Sequence, residues 1–144
     1  MKIRAARSDD LDVIKALLAE NELPVDDVDA ALLVDFLVAE DASGRIVGSV
    51  GLERFGAKAL LRSLAVTQTA RRNGLGARLL SHAELMARVS AVSELWLLTM
   101  TTVGFFRPKG FEDVGRCTAP EAVQESSQFV LMCPASAVCM KKTL

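Results

Sequence analysis

Two periods organise the apolar residues of this 144-residue chain. Leu11, Ile14, Leu17 and Leu18 recur at the spacing of one helical face. Asp9 and Asp10 stand in the first turn, where carboxylates suit the helix dipole, and Ser8 precedes them as the N-cap. Residues 9–20 are therefore expected to be helical. Leu23–Pro24 breaks the pattern, and residues 26–33 read as a second short helix. Alternating or continuous apolar runs at 2–6, 34–40, 45–53 and 59–66 predict four strands, with turns at 41–44 and 55–57. A second helical stripe, Leu75, Leu79, Ala83, Met86 and Ala87, runs to about Ser90, and a strand follows at 94–100. Phe105 and Phe106 fall in a short helix that ends at Gly110, and Phe111 begins the next strand. The order predicts an α/β fold in a single domain spanning 1–144: a mixed central sheet flanked by helices, mostly antiparallel at its start.

Composition narrows the class. The chain is 51% hydrophobic, 24% charged and 5% aromatic, with no Tyr, which excludes a disordered or collagen-like protein. Its three cysteines are an odd number, all late in the chain, which argues against a disulfide framework and for a reducing compartment. The first ten residues carry acids where a signal peptide needs an apolar stretch, and no apolar run approaches the ~20 residues that span a bilayer. A cytoplasmic protein with no membrane partner is expected.

The net charge of −1 is unevenly spread. Residues 1–53 hold five Lys/Arg against twelve Asp/Glu, whereas residues 54–83 hold Arg54, Lys58, Arg62, Arg71, Arg72 and Arg78 with no acid. Such a run is either a solvated face or a surface that meets an anion. Nucleic acid is not expected as that anion, because the whole chain is slightly acidic and only Phe55 interleaves with the basic residues.

The strand at 59–66 leads into Arg71-Arg72-Asn73-Gly74-Leu75-Gly76-Ala77 and then into the second helix. Strand, basic glycine loop and helix together make a phosphate site: the first helical turn has free N–H groups and the positive dipole end, and glycines let the backbone approach the anion. Two other phosphate loops fit poorly. A P-loop needs Lys followed by Ser or Thr after its last glycine, where Ala77-Arg78 stand, and a dinucleotide fingerprint needs a third glycine where Leu79 stands. At these residues the sequence resembles the Gcn5-related N-acetyltransferases (GNAT), whose acetyl-CoA motif Q/R-x-x-G-x-G/A is matched by Arg71, Gly74 and Gly76. The strand before it and Phe105-Phe106-Arg107-Pro108-Lys109-Gly110-Phe111, which looks like the family's F-Y-x-x-x-G-F, extend the resemblance over nearly the whole chain. The segments 51–53, 60–64, 119–122 and 129–140 are similar to the arsenic-resistance N-acetyltransferase branch of that family.

The resemblance implies acetyl-CoA as cosubstrate and a primary amine as acceptor; the branch points to an amino-organoarsenical or phosphinothricin-like amino acid. Backbone groups of Leu64, Ala65 and Val66 would pair with the pantetheine arm, and Arg71, Arg72, Asn73, Gly74, Leu75, Gly76 and Ala77 would hold the pyrophosphate, with Phe106 beside the cofactor. Direct attack of the amine on the thioester needs placement, a free amine and a carbonyl-oxygen donor; the backbone N–H of Val66 would be that donor. Glu53 is the candidate base, at the hairpin mouth next to the cofactor strand. It is equally placed to form an ion pair with Arg62, in a register that sets 53 opposite 62, and Arg62 would orient it or bind an anionic group of the substrate. Phe106 stands where the family commonly has Tyr, so the proton for the leaving thiolate is left to Ser136, Cys133 or water.

The remaining residues divide between chemistry and packing. Thr99 ends the central strand beside the expected cleft and is a candidate substrate contact, while Thr101 or Thr102 would cap the next helix. His82, at the edge of the helical stripe, reads as a partly buried structural residue. On one extended strand Cys133 and Cys139 would lie ~20 Å apart, too far to hold one ion, and no second His exists, so no metal is expected. The partners expected are a small amine and, as an option, a second copy in a homodimer. The other function class left open is a non-catalytic acyl-CoA-binding or arsenical-sensing module, for which the absence of Tyr speaks.

Overall fold

The computed structural model describes residues 1–144, Met132 by its backbone alone. Seven strands form one mixed sheet: β1 (Lys2–Ala5), β2 (Phe36–Glu40), β3 (Ile46–Phe55), β4 (Lys58–Val66), β5 (Glu94–Thr99), β6 (Glu112–Val114) and β7 (Val138–Thr143), in the order β1-β2-β3-β4-β5-β7-β6. The helices are α1 (Leu11–Glu20), α2 (Leu75–Val89), α3 (Val103–Phe106) and α4 (Glu121–Gln124), with a π-turn at Gln128–Met132. All strand pairs are antiparallel except β4 and β5, and the α2 crossover separates these two parallel strands.

Several expected boundaries shift, each for a local reason. Residues 26–31 are not helical; a 3₁₀ turn at Leu32–Asp35 precedes β2, which begins at Phe36 rather than at 34. Ser8 does not cap the first helix. The Arg7 N–H donates to Asp10 Oδ2 (2.7 Å), and Arg4 forks onto the same carboxylate (2.8 and 3.1 Å), so Asp10 closes a 3₁₀ turn at Ser8–Asp10 before α1 starts. The β3–β4 hairpin is tighter than expected. Phe55 pairs with Lys58 across Gly56-Ala57, which sets Glu53 opposite Leu60 and Arg62 opposite Gly51. His82 is exposed rather than partly buried, its Nδ1 2.8 Å from the Arg78 carbonyl.

Three apolar clusters hold the layers. The α2 stripe, Leu75, Leu79, Leu80, Ala83 and Ala87, packs on Val50, Leu52, Ala59 and Leu61. On α1, Ile14, Leu17 and Leu18 meet Val28, Phe36, Val38 and Ala65. The third cluster joins Leu60, Trp96 and Cys139 to Val123 of α4 and Phe129 of the π-turn. Beneath α2, Glu84 is buried and accepts two of the three hydrogen bonds of the Lys142 ammonium (2.9 and 3.0 Å), the third going to the Lys109 carbonyl (2.8 Å), which compensates a carboxylate inside the layer.

Two irregularities mark the second half of β4. Ser63 and Leu64 together oppose Val50, a bulge in which Ser63 adopts φ +59°, and the buried Ser49 hydroxyl donates to the Ser63 carbonyl (2.8 Å). Pairing with β5 stops after Leu60–Trp96, only three residues in, so the rest of β4 has a partner on one side only.

Gly51 is required by packing. A Cβ there would stand 2.2 Å from Cε1 of Phe36, whose ring is buried and has no space to retreat. Gly51→Ala is expected to cost about 3 kcal/mol and to lower the melting temperature by roughly 10 °C. Gly56→Ala meets no neighbouring atom and is expected to cost about 1 kcal/mol through its positive φ alone. Equal melting temperatures for the two variants would contradict this packing.

Candidate active site

The end of β4 and the start of α2 build a cradle from backbone alone. Arg72 (φ +70°) and Gly74 (φ +79°) both adopt left-handed conformations, so the loop turns sharply into the helix. No side chain caps α2, and its first internal hydrogen bond runs from Arg78 N–H to Gly74 C=O (3.1 Å). The N–H groups of Leu75, Gly76 and Ala77 are therefore left to an outside acceptor, at the positive end of the helix dipole. A Cβ on Gly74 would meet no neighbouring atom, so it is the positive φ that asks for glycine there.

This cradle is one end of a cleft of about 500 Å³, walled by residues 64–66 of β4, the loop and helix start, and Phe105, Phe106 and Lys109. Leu64, Ala65, Val66, Arg71, Arg72, Gly74, Leu75, Gly76, Ala77 and Phe106 all line it; Asn73 is exposed but outside its wall. Lys109 was missed by the sequence reasoning. Its ammonium lies 4.1 Å from the Phe105 ring centroid and adds a positive charge to the wall.

The strand edge inside the cleft is unpaired. Thr67 N–H donates to Val47 C=O (2.8 Å), and hydrogen-bonded and non-bonded pairs alternate along an antiparallel ladder, so the Val66–Gly48 pair is the non-bonded one. The Val66 N–H and C=O thus point away from β3, toward the side β5 has vacated. Arg71 takes the carbonyl (3.3 Å) while its Nη2 donates to Asn21 (2.8 Å), which leaves the N–H facing the cleft.

Four residues before Val66, Arg62 gathers an ionic cluster between the second and third apolar clusters. Its guanidinium is wholly buried. Nη1 and Nη2 fork onto Asp27 (both 2.6 Å), and Nη1 also donates to Glu53 Oε1 (3.0 Å). Burial alone would pull the guanidinium down, but Asp27 and Glu53 hold it above its ordinary value. The expected Arg62–Glu53 contact forms even though the two are not cross-strand partners, because a long side chain reaches the diagonal neighbour. The expectation that Arg62 offers its fork to a substrate anion is corrected: two carboxylates of the chain already occupy that fork. Asp27 carried no sequence signal, since an acid in a polar loop has no period to mark it.

The comparisons with known proteins converge on one family. The model of the acetyltransferase (GNAT) domain matches residues 33–113. An uncharacterised N-acetyltransferase of Chlorobaculum tepidum is 31% identical over 115 residues, 76% of this chain and 71% of that protein. The chain belongs to the GNAT acetyltransferase family. N-acetylglutamate synthase from Neisseria gonorrhoeae, complexed with coenzyme A and N-acetyl-glutamate, superposes with a TM-score of 0.86 at 25% identity over 99% of this chain. This chain spans about a third of that protein's length (35%). Rv2747 from Mycobacterium tuberculosis, in complex with CoA, has a TM-score of 0.80 at 20% identity, covering 100% and 99% of the two chains.

Acetyl-CoA is the acyl donor of the GNAT family, and the cleft fits it on observations of this chain. The uncapped N–H groups of α2 suit a pyrophosphate, and the unpaired edge of β4 suits the amide-bearing pantetheine arm. The basic run at 54–83 divides in the structure. Arg54, Lys58 and Arg62 pair with Asp35, Glu94 and the Asp27–Glu53 couple, while Arg71 and Arg72 line the cleft.

The other expected contacts of this GNAT enzyme are dispersed. Thr102 is the N-cap residue of α3, as expected, though its hydroxyl makes no capping bond; the buried Thr99 holds it, its Oγ1 2.6 Å from the Thr102 hydroxyl and accepting the Thr102 N–H (3.0 Å). Ser136 is exposed, with only the Met100 sulfur at 4.0 Å. Cys133 is half-buried within the electrostatic reach of Arg116, Arg62 and Asp27, on the cluster side of β4. Among the described residues no group of His, Cys, Asp and Glu could hold a metal ion, and no helix is long and apolar enough to cross a membrane.

Burial pushes the Cys133 thiol up, against the opposing charges of Arg116 and Arg62, and burial pushes Cys139 up to about 11. Both are expected to stay protonated at neutral pH, whereas Cys117 is exposed. Mass-spectrometric alkylation at pH 7 should label Cys117 first, with Cys133 reacting only as the medium turns alkaline. Labelling of Cys133 as fast as Cys117 at pH 7 would contradict that burial.

Proposed function

We propose that residues 1–144 act as one catalytic domain that acetylates the primary amine of a small molecule, with glutamate, phosphinothricin-like amino acids and amino-organoarsenicals as the candidate acceptors. The observation that carries the reading is that a single strand, β4, joins an inward-facing donor in the cleft to a carboxylate cluster four residues away. The likeness to an N-acetylglutamate synthase bound to N-acetyl-glutamate supports the acceptor class. We place the enzyme in the cytoplasm, where its three cysteines stay free.

In this reading the N–H groups of Leu75, Gly76 and Ala77 hold the pyrophosphate, and the backbone at Leu64–Val66 pairs with the pantetheine arm as a strand would. Acetyl-CoA supplies the activated acetyl thioester. Val66 N–H is a fixed donor for the carbonyl oxygen as charge builds on it. One guanidinium and two carboxylates leave the Arg62 cluster with a net negative charge, which attracts an ammonium group. Arg62 lies four strand residues from Val66, about 13 Å before the bulge shortens it, and Glu53 lies on the Arg62 side, so Glu53 accepts the amine's proton through a chain of waters rather than by direct contact. Phe106, buried against Phe105 and Phe111, has no proton to give; solvent or the protonated Cys133 thiol protonates the leaving thiolate.

Phe106 also favours a second reading, a module that binds acyl-CoA without turnover. Thiol release from acetyl-CoA, measured with glutamate, phosphinothricin and an amino-organoarsenical, separates the two. Catalysis predicts turnover with at least one of them, and Glu53→Gln should lower kcat about 100-fold near pH 7. That loss should shrink as the pH rises toward the amine's own range, where less proton removal is needed. Cofactor binding with no turnover on any of the three would favour the sensor. By calorimetry, Gly74→Val should weaken CoA binding more than about tenfold, because the left-handed turn is lost. Unchanged affinity would remove the cradle from the account.

A further inference from the structure

We infer that Asp27 is a positioning residue for the acetyl-transfer reaction: it holds the fork of Arg62 so that Glu53 keeps one carboxylate oxygen for the acceptor's proton. The inference rests on Glu53 as the proton acceptor.

The starting observation is how four of the Arg62 guanidinium N–H groups are shared. Asp27 takes the parallel bidentate contact (2.6 and 2.6 Å), the geometry a planar fork prefers. Nε faces Ser63 Oγ at 3.4 Å. Glu53 receives the one remaining Nη1 hydrogen, through Oε1 alone (3.0 Å). Among the described residues Oε2 of Glu53 accepts no hydrogen bond, and no buried side-chain oxygen is left without a partner, so Oε2 is open to water or to the acceptor. The side-chain exposures agree: none for Arg62, 12% for Asp27 and 24% for Glu53.

Without Asp27 the same guanidinium would turn its fork on the only carboxylate left. Glu53 would then be held through both oxygens, and the oxygen that receives the proton would be withdrawn. Asp27 reaches this place from the loop between α1 and β2, anchored by the buried Val28 next to it, whereas Glu53 and Arg62 come from the sheet. A loop residue thereby sets the geometry of a strand residue through a shared cation, without touching acetyl-CoA or reacting atoms.

The test is a double-mutant cycle in kcat on the full chain, with acetyl-CoA and whichever acceptor shows turnover. Asp27→Asn is expected to lower kcat about tenfold, with CoA affinity by calorimetry unchanged. In the Glu53→Gln background Asp27→Asn should cost nothing further, because the group it positions is gone. Asp27→Glu, which keeps the charge but displaces the fork, should lose about threefold and show the same dependence on Glu53; it carries the test if the Asn variant does not fold. A kcat per folded molecule unchanged in both Asp27 variants, with only the melting temperature lowered, would overturn the inference. So would a tenfold loss that persists beside Glu53→Gln. A Glu53→Gln enzyme as active as the wild type would instead overturn the proton-acceptor role itself, a separate failure.

Discussion

The short parallel pairing of β4 with β5 is the constraint on which the rest depends. Three residue pairs join the strands, from Lys58–Glu94 to Leu60–Trp96, and then they part. In a continuous sheet the second half of β4 would satisfy its backbone groups against a neighbour, and no ligand could compete. Here the ladder stops inside the protein, and the polar groups at its edge need a partner that is not part of the fold. α2 enters where the strands separate, so its uncapped first turn faces the same opening. One gap thus presents strand-like hydrogen bonding to an amide-bearing chain and helix N–H groups to an anion.

The bulge at Ser63–Leu64 lets a single strand serve two faces. An extra residue in β4 changes which side successive residues take. Leu61 on one side of it and Leu64 and Val66 on the other all pack with the α2 layer, while Arg62 stands between Leu60 and Ala65 of the two clusters opposite. The Ser49 hydroxyl on the Ser63 carbonyl fixes the distortion from the neighbouring strand. Burying Arg62 is tolerable because every charge contact is met with good geometry; removing one partner of such a cluster costs more than the cluster contributes.

Element order as far as Phe111, apart from the helix expected at 26–33, the glycine loop and α2 were readable from sequence because each has a local cause: a period of 3.6, a left-handed turn that asks for glycine, a polar break between apolar runs; α4, the π-turn and β7 were not read. Gly74 at φ +79° and Gly110 at φ +96° stand where helix entry and exit require them. The rest depends on long-range contacts. The β3–β4 register turned on whether Glu53 fell opposite Arg62 or, two residues nearer the turn, opposite Leu60, which residue types alone do not decide because both keep the same faces. Asp10 replaced Ser8 as the helix-starting acceptor only because Arg4, on another element, holds it in place. Asp27 was silent for the same reason: its role exists only once Arg62, 35 residues later, arrives beside it. The family was legible and the loop with it; the acceptor side was not, since it is assembled from a loop, two strands and a π-turn.

The central claim is that the edge of β4 at Leu64–Val66 is unpaired in the free protein and becomes the strand partner of the cofactor. Residue-resolved amide hydrogen exchange, with and without saturating CoA, tests it directly. The Val66 amide should exchange fast in the free protein, while Ala65, hydrogen-bonded within the β3–β4 ladder, is protected. CoA should slow Val66 and the Leu75–Ala77 amides together, at least tenfold in rate. A Val66 amide already protected without ligand, or one that CoA leaves unchanged, would contradict the account.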